Sequence, residues 1–139
     1  MKKLFYLFSA ITLVTLVISA CEPKANTPSA AAEKVAKAMQ KGDYKTVVNQ
    51  MNFDEEEGVS SKDVDDQKEM FASLLEEKAS ESIAENGGIK SYEIIEETIS
   101  EDGQTAEVKV KYTYHDNSVE TETMSFSNIN GDWLLEVSK

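Results

Sequence analysis

Between Thr105 and His115 the chain alternates without a fault: Ala106, Val108, Val110, Tyr112 and Tyr114 are interleaved with Glu107, Lys109, Lys111 and Thr113. On a helix this pattern would scatter the apolar residues around the axis. On a strand it gathers them on one face. A strand with one apolar face has to find neighbours and a covering layer. The surrounding sequence supplies the neighbours. Ile89 to Ile99 is rich in β-branched and aromatic residues, and Glu101-Asp102-Gly103 is a turn with Asp-Gly at its centre. His115-Asp116-Asn117-Ser118 turns the chain again, after which Glu120, Glu122, Met124 and Phe126 alternate with Val119, Thr121, Thr123 and Ser125. Asn130-Gly131 is a tight-hairpin signal, and Trp133, Leu135 and Val137 read as a closing strand.

The layer that covers this sheet is expected from the preceding half. Thr27-Pro28 starts a helix, with Thr27 as N-cap and proline at the first helical position. Ala32, Val35, Ala36 and Met39 then share one face, Lys37 and Lys41 lie toward the negative end of the helix dipole, and Gly42 closes the helix in the left-handed conformation. Asp43 can cap a second helix at once, in which Tyr44, Val47, Val48 and Met51 recur at helical spacing. Phe53 pins the end of that unit. The acidic run Asp54-Glu55-Glu56-Glu57 leads through Gly58, Ser60 and Ser61 to a third helix, roughly Asp63 to Glu85, with a stripe of Val64, Phe71, Leu74, Leu75 and Ile83; Asn86-Gly87-Gly88 stops it. Helices followed by consecutive hairpin strands give an α+β domain, with N-terminal helices packed on a four-stranded antiparallel sheet.

The first 28 residues stand apart. Lys2 and Lys3 precede the apolar stretch Leu4 to Ile18, which is short for a membrane-spanning helix and is interrupted by Ser9, Thr12 and Thr15. A charged start, an apolar middle and small residues ahead of a cleavage point make a signal peptide. Leu16-Val17-Ile18-Ser19-Ala20-Cys21 resembles the lipobox of bacterial lipoproteins. The resemblance implies a diacylglyceryl group on the Cys21 thiol, cleavage after Ala20 and acylation (palmitate or a similar chain) of the new N-terminus. The expected organisation is therefore a signal peptide at 1–20, a lipidated cysteine and tether at 21–28, and one domain at 29–139. Glu22 follows the cysteine. In Gram-negative lipoproteins that pattern implies the outer membrane, facing the periplasm; otherwise the outer face of the cell membrane is implied.

Charge narrows the partners. The chain carries −12, and loss of Lys2 and Lys3 with the signal leaves twelve lysines against 26 acids, near −14. There is no arginine. Nucleic acid is not expected, since it must be met with clustered cations, and anionic headgroups would repel this surface, so membrane attachment falls to the lipid on Cys21. With Cys21 the only cysteine, neither a disulfide nor thiol catalysis is available.

The order of elements carries a further resemblance. A helix, Lys41-Gly42-Asp43-Tyr44, a second helix, and four strands ending in Asn130-Gly131-Asp132-Trp133 is similar to the nuclear transport factor 2-like (cystatin-like) superfamily. Within it the chain resembles a family of small bacterial lipoproteins carrying a domain of unknown function. The resemblance spans about Ser29 to Lys139. It implies a strongly curved sheet wrapped around a helix as a cone with an apolar pocket, to which Tyr44, Tyr92, Tyr112, Tyr114 and Trp133 are the candidate contributors. Many domains of that fold pair through their sheets, which leaves a homodimer open.

Three functions compete. The pocket could take a small apolar ligand, or an acidic helix face or the outer sheet face could meet a basic protein of the envelope; both are non-catalytic binding. The alternative is a pocket enzyme of isomerase or dehydratase type, which needs an inward carboxylate beside a tyrosine; the pattern identifies no such acid, and no catalytic residue of the superfamily maps onto this sequence. His115, the only histidine, sits in a turn, and no serine lies in a nucleophile motif. Zinc needs several His or Cys ligands. Asp54 to Glu57 and Asp63, Asp65 and Asp66 lack the loop spacing of a calcium site and read as solvated. No cofactor or metal is expected.

Overall fold

The computed structural model describes residues 26–53 and 60–137. Residues 1–20, Cys21, Glu22 and the acidic run 54–57 lie outside the described residues. Helix α1, Pro28–Lys41, is set by its ends: the Thr27 hydroxyl accepts the Ala30 N–H at 3.1 Å, and Gly42 turns out of the helix at φ 71°. The N–H groups of Gly42 and Asp43 donate to Met39 and Ala38 (3.1 and 2.8 Å), satisfying carbonyls that the last turn leaves open. Asp43 immediately caps α2, Tyr44–Asn49, accepting from the Thr46 N–H and hydroxyl at 3.2 and 2.7 Å. Those two bonds, the hydroxyl's first, hold the Asp43 carboxyl below its ordinary pKa.

The second helix stops sooner than its apolar spacing predicts. Met51 does not complete it but joins Asn52 as β1, Met51–Asn52, because the Gln50 carbonyl is taken by the Leu135 N–H at 2.7 Å. Strand pairing thus outcompetes another turn of helix. Helix α3, Ser61–Glu85, opens with a reciprocal capping box between Ser60 and Asp63, and Gly88 N–H closes it on the Ile83 carbonyl at 2.9 Å.

Strands β2 (Ile89–Ile99), β3 (Thr105–Tyr114), β4 (Val119–Ile129) and β5 (Asp132–Glu136) follow by hairpins, and Val137 falls outside the last one. The sheet has five strands in the order β1-β5-β4-β3-β2, antiparallel except for the β1–β5 pair. The four expected strands form as hairpins; β1 is the addition, and it makes the sheet mixed at that edge. Register places Tyr92, Tyr112 and Glu120 in one row across β2, β3 and β4, and Ile94, Val110 and Glu122 in the next. Helix α1 lies over this inner face. Its Ala31, Ala32, Val35 and Ala36 are buried together with Val108, Val110, Tyr112, Met124, Phe126 and Trp133 in one core. Each fully buried Val or Phe side chain in such a core contributes roughly 1.5–3 kcal/mol of transfer free energy. The outer face is polar, with Lys109 paired to Glu96 at 2.6 Å and Lys111 to Glu93 at 3.5 Å.

Helix α3 packs through Ala72, Leu75 and Ile83 toward α2 and the core, and Phe71 meets Phe53 edge-on at 5.9 Å between centroids. Leu74 departs from the expected stripe: with Met70 it faces outward, 45% and 63% exposed. The packed side of α3 is centred on Ala72, and 100° per residue carries positions two away from it to the opposite side.

Candidate functional site

The inner face is apolar from Ala106 and Phe126 through Val108 and Met124, then changes character toward the β3–β4 hairpin. There the perfect alternation of β3 carries Tyr112 and Tyr114 inward, and the alternation of β4 carries Glu122 and Glu120 to the same face, because Glu122 is the partner of Val110 and Glu120 of Tyr112. The result is a corner of three tyrosines, Tyr92, Tyr112 and Tyr114, beside two carboxylates. The Tyr114 hydroxyl donates to Glu120 Oε2 at 2.9 Å. The Tyr112 hydroxyl, on a side chain only 2% exposed, reaches the Met39 sulfur of α1 at 3.9 Å, a weak acceptor at long range.

Electrostatics at this corner run in one direction. Burial first, then the charge of Glu122, raises the Tyr112 phenol above its ordinary pKa. Burial and the bond to Glu120 push Tyr114 up to about 12. Glu122 is open to solvent along the sheet's edge side, yet it is shielded enough that desolvation, followed by the charge of Glu120, raises its carboxyl above the usual range. Two carboxylates two residues apart on one face repel each other, and the lysines of β3 point to the other face, where they meet Glu96 and Glu93.

The expected pocket residues do not form one group. Tyr92, Tyr112 and Tyr114 come together. Tyr44 is buried where α2 meets α3, within the influence of Glu76, and lines a surface hollow with Gly42, Asp43, Glu69 and Ser73. Trp133 is buried on β5 opposite Asn128, eight residues along β4 from Glu120, roughly 26 Å away. It plugs the opposite end of the core. His115 is exposed in the hairpin turn, its N–H bonded to the Gly88 carbonyl at 3.0 Å. Among the described residues no group of three or more His, Cys, Asp or Glu is placed to hold a metal ion, and no helix is long and apolar enough to cross a membrane.

Glu120 and Glu122 are the residues that sequence reasoning missed. Their signal was present, since they share a phase with Met124 and Phe126. Glu97 was missed for another reason: register shifts in β2 bring it beside α1, where its carboxylate accepts the Ser29 N–H at 2.8 Å, a favourable place for an anion at a helix N-terminus.

Comparison with known proteins adds the following. Residues 19–136 match the family described as Domain of unknown function (DUF4878). No curated protein matches the chain. Among solved structures, it is similar to a Campylobacter jejuni protein provisionally named an NTF2-like (nuclear transport factor 2-like) transpeptidase, with a TM-score of 0.63 and 19% identity over 81% of this chain and 99% of that one. It is also similar to a SEC-C motif containing protein from Rhodopseudomonas palustris, with a TM-score of 0.54 and 11% identity over 84% of this chain and 80% of that one. At such identities the likeness is one of fold.

Proposed function

The chain belongs to the DUF4878 family and has a nuclear transport factor 2-like fold, and from that premise we propose that it is a lipid-anchored lipoprotein of the cell envelope whose domain binds a protein partner and does not catalyse. The anchor is the lipid on Cys21. The observation that carries the binding reading is the filling of the inner face by the chain's own side chains. Val108 and Val110 are inaccessible and Tyr112 nearly so, beneath Val35 and the alanines of α1. Three hollows formed by described residues lie away from this corner: two adjoining ones of about 290 and 380 Å³ along the α2–α3 groove, sharing Lys45, Glu69 and Ala72, and one of about 280 Å³ at the sheet end near Phe126 and Glu136. They are open and lined largely by charged and hydroxyl side chains, which suits a protein surface better than a small apolar molecule. A net charge of −12 makes a basic partner the natural one.

Two experiments test this. Fatty-acid labelling in the host should mark the parent and not Cys21→Ala, while both retain the same fold; a labelled Cys21→Ala sinks the anchor. Photo-cross-linking in the intact envelope, from positions scattered over the domain, should give discrete adducts to a protein; none at any position sinks the binding reading. A second reading, the pocket enzyme, is favoured by one observation, the shielded Glu122 carboxyl within the field of Tyr112. Native mass spectrometry of the protein taken gently from its host separates the two, since a co-purifying small molecule would speak for a pocket.

A further inference from the structure

The five residues Val119 to Thr123 are all exposed, although they lie inside a strand whose ladder to β3 is regular from Thr105↔Ser127 to Thr113↔Val119. The reason is topological. Strand β5 lies on the other side of β4 but pairs only with Phe126 to Ile129, so among the described residues nothing pairs with Val119–Thr123 on that side. The direction of the backbone groups follows from the bonds at the two ends of the ladder. Tyr114 N–H donates to the Ser118 carbonyl at 3.0 Å, and Asn128 N–H to the Gln104 carbonyl at 2.8 Å. Even-numbered residues of β4 therefore bond to β3, and the N–H and C=O of Val119, Thr121 and Thr123 point out of the sheet. This is a template for one more strand.

We propose that this open edge of β4 receives an extended, basic segment of the protein partner as an added strand, with lysine or arginine at alternate positions set against Glu120 and Glu122. The inference rests on the protein-binding reading above and names the partner's chemistry. An added strand places its residues alternately on the two faces of the sheet. Those on the inner side meet Glu120 and Glu122, whose own face offers no lysine from β3, and those on the outer side meet Val119, Thr121 and Thr123, which favour β-branched company. Charge also decides between occupants. A second copy pairing through the same edge would bring four glutamates together, and like charges across a ladder are unfavourable. Of the two terminal strands, β1 is only two residues long and β2 is a poorer template. Its ladder to β3 is broken at two places, between Ile89 and Ser91 and between Ile94 and Glu96, and such irregularities twist an edge away from further pairing.

The test uses the full chain, nitrogen-15 labelled, in detergent micelles, titrated with a blocked nine-residue peptide of alternating lysine and threonine and with its glutamate–threonine counterpart. With the lysine peptide, the amides of Val119, Thr121 and Thr123 should shift and exchange with solvent at least tenfold more slowly; the glutamate peptide should do neither. Thr121→Pro removes one outward donor and no bond to β3, and it should abolish the response. The pair Glu120→Gln with Glu122→Gln keeps every backbone group and should weaken binding about tenfold. If the three amides stay unchanged at millimolar lysine peptide, or if folded Thr121→Pro responds like the parent, the proposal is overturned; should Thr121→Pro fail to fold, the glutamine pair decides alone, and unchanged affinity overturns it. Envelope cross-links that form from α3 positions such as Met70 and not from Thr123 would also overturn the added strand, while leaving the binding reading in place.

Discussion

Tyr114 shows how a single side chain ties stability to pH. Its phenol is held to about 12 by burial and by its bond to Glu120, and Tyr112 is raised as well. The folded chain keeps these protons where an unfolded one has begun to release them near pH 10, so the native state binds more protons across that window. Stability is therefore expected to be undiminished by these groups below pH 10 and to fall as pH rises from about 10 through about 12. Urea midpoints at half-unit steps check it, and in Tyr114→Phe the decline should be shallower. Phe126→Ala, at a buried position of the inner face, is expected to cost about 3–5 kcal/mol by the same measurement. Alternation alone is enough to place Tyr112, Tyr114 and Phe126 inside. It places Glu120 and Glu122 there too, but a carboxylate is so much commoner on a solvated face that its charge hides its phase. At the open end of a strand the phase decides, because the edge lets water reach an inward-facing acid.

Helix α3 sets the limit at the scale of elements. Its start, its stop and its length follow from Ser60, Asp63 and the Gly87-Gly88 pair, whereas its orientation was legible only in part. Apolar spacing assigns Leu74 to the packed stripe with Phe71 and Leu75, yet α2 is only six residues long and offers a narrow surface, which α3 meets through the side centred on its own Ala72. Leu74→Lys is therefore expected to leave stability within about 0.5 kcal/mol, and Leu75→Ala to cost about 1–3 kcal/mol by removing a half-buried side chain packed against the core; thermal unfolding of the two variants separates them. The capped helices and the four hairpin strands were legible because caps, turns and periods are local. Strand β1 was not, since two residues carry no period and Met51 fitted the preceding helix equally well.

At the scale of the molecule, the fold read from the order of elements is the fold observed, while the shape of the inner corner depended on register between strands that no local pattern states. The sheet's long-range closure has its own cost in folding: Asn52 pairs with Glu136, side chain to side chain at 3.1 Å, across 84 positions. Pairings so far apart in sequence are slow to form. A chain ended after Gly131 lacks β5 altogether and should be cut by protease in seconds to minutes under conditions where the full chain survives, which a digestion time course reads directly. The same arrangement bears on the chain's history. Because β5 lies between β1 and β4, β1 has no strand to lean on until β5 has formed, whereas β4 is already held by β3, so the segment just after α2 joins the sheet only once the rest of it is built.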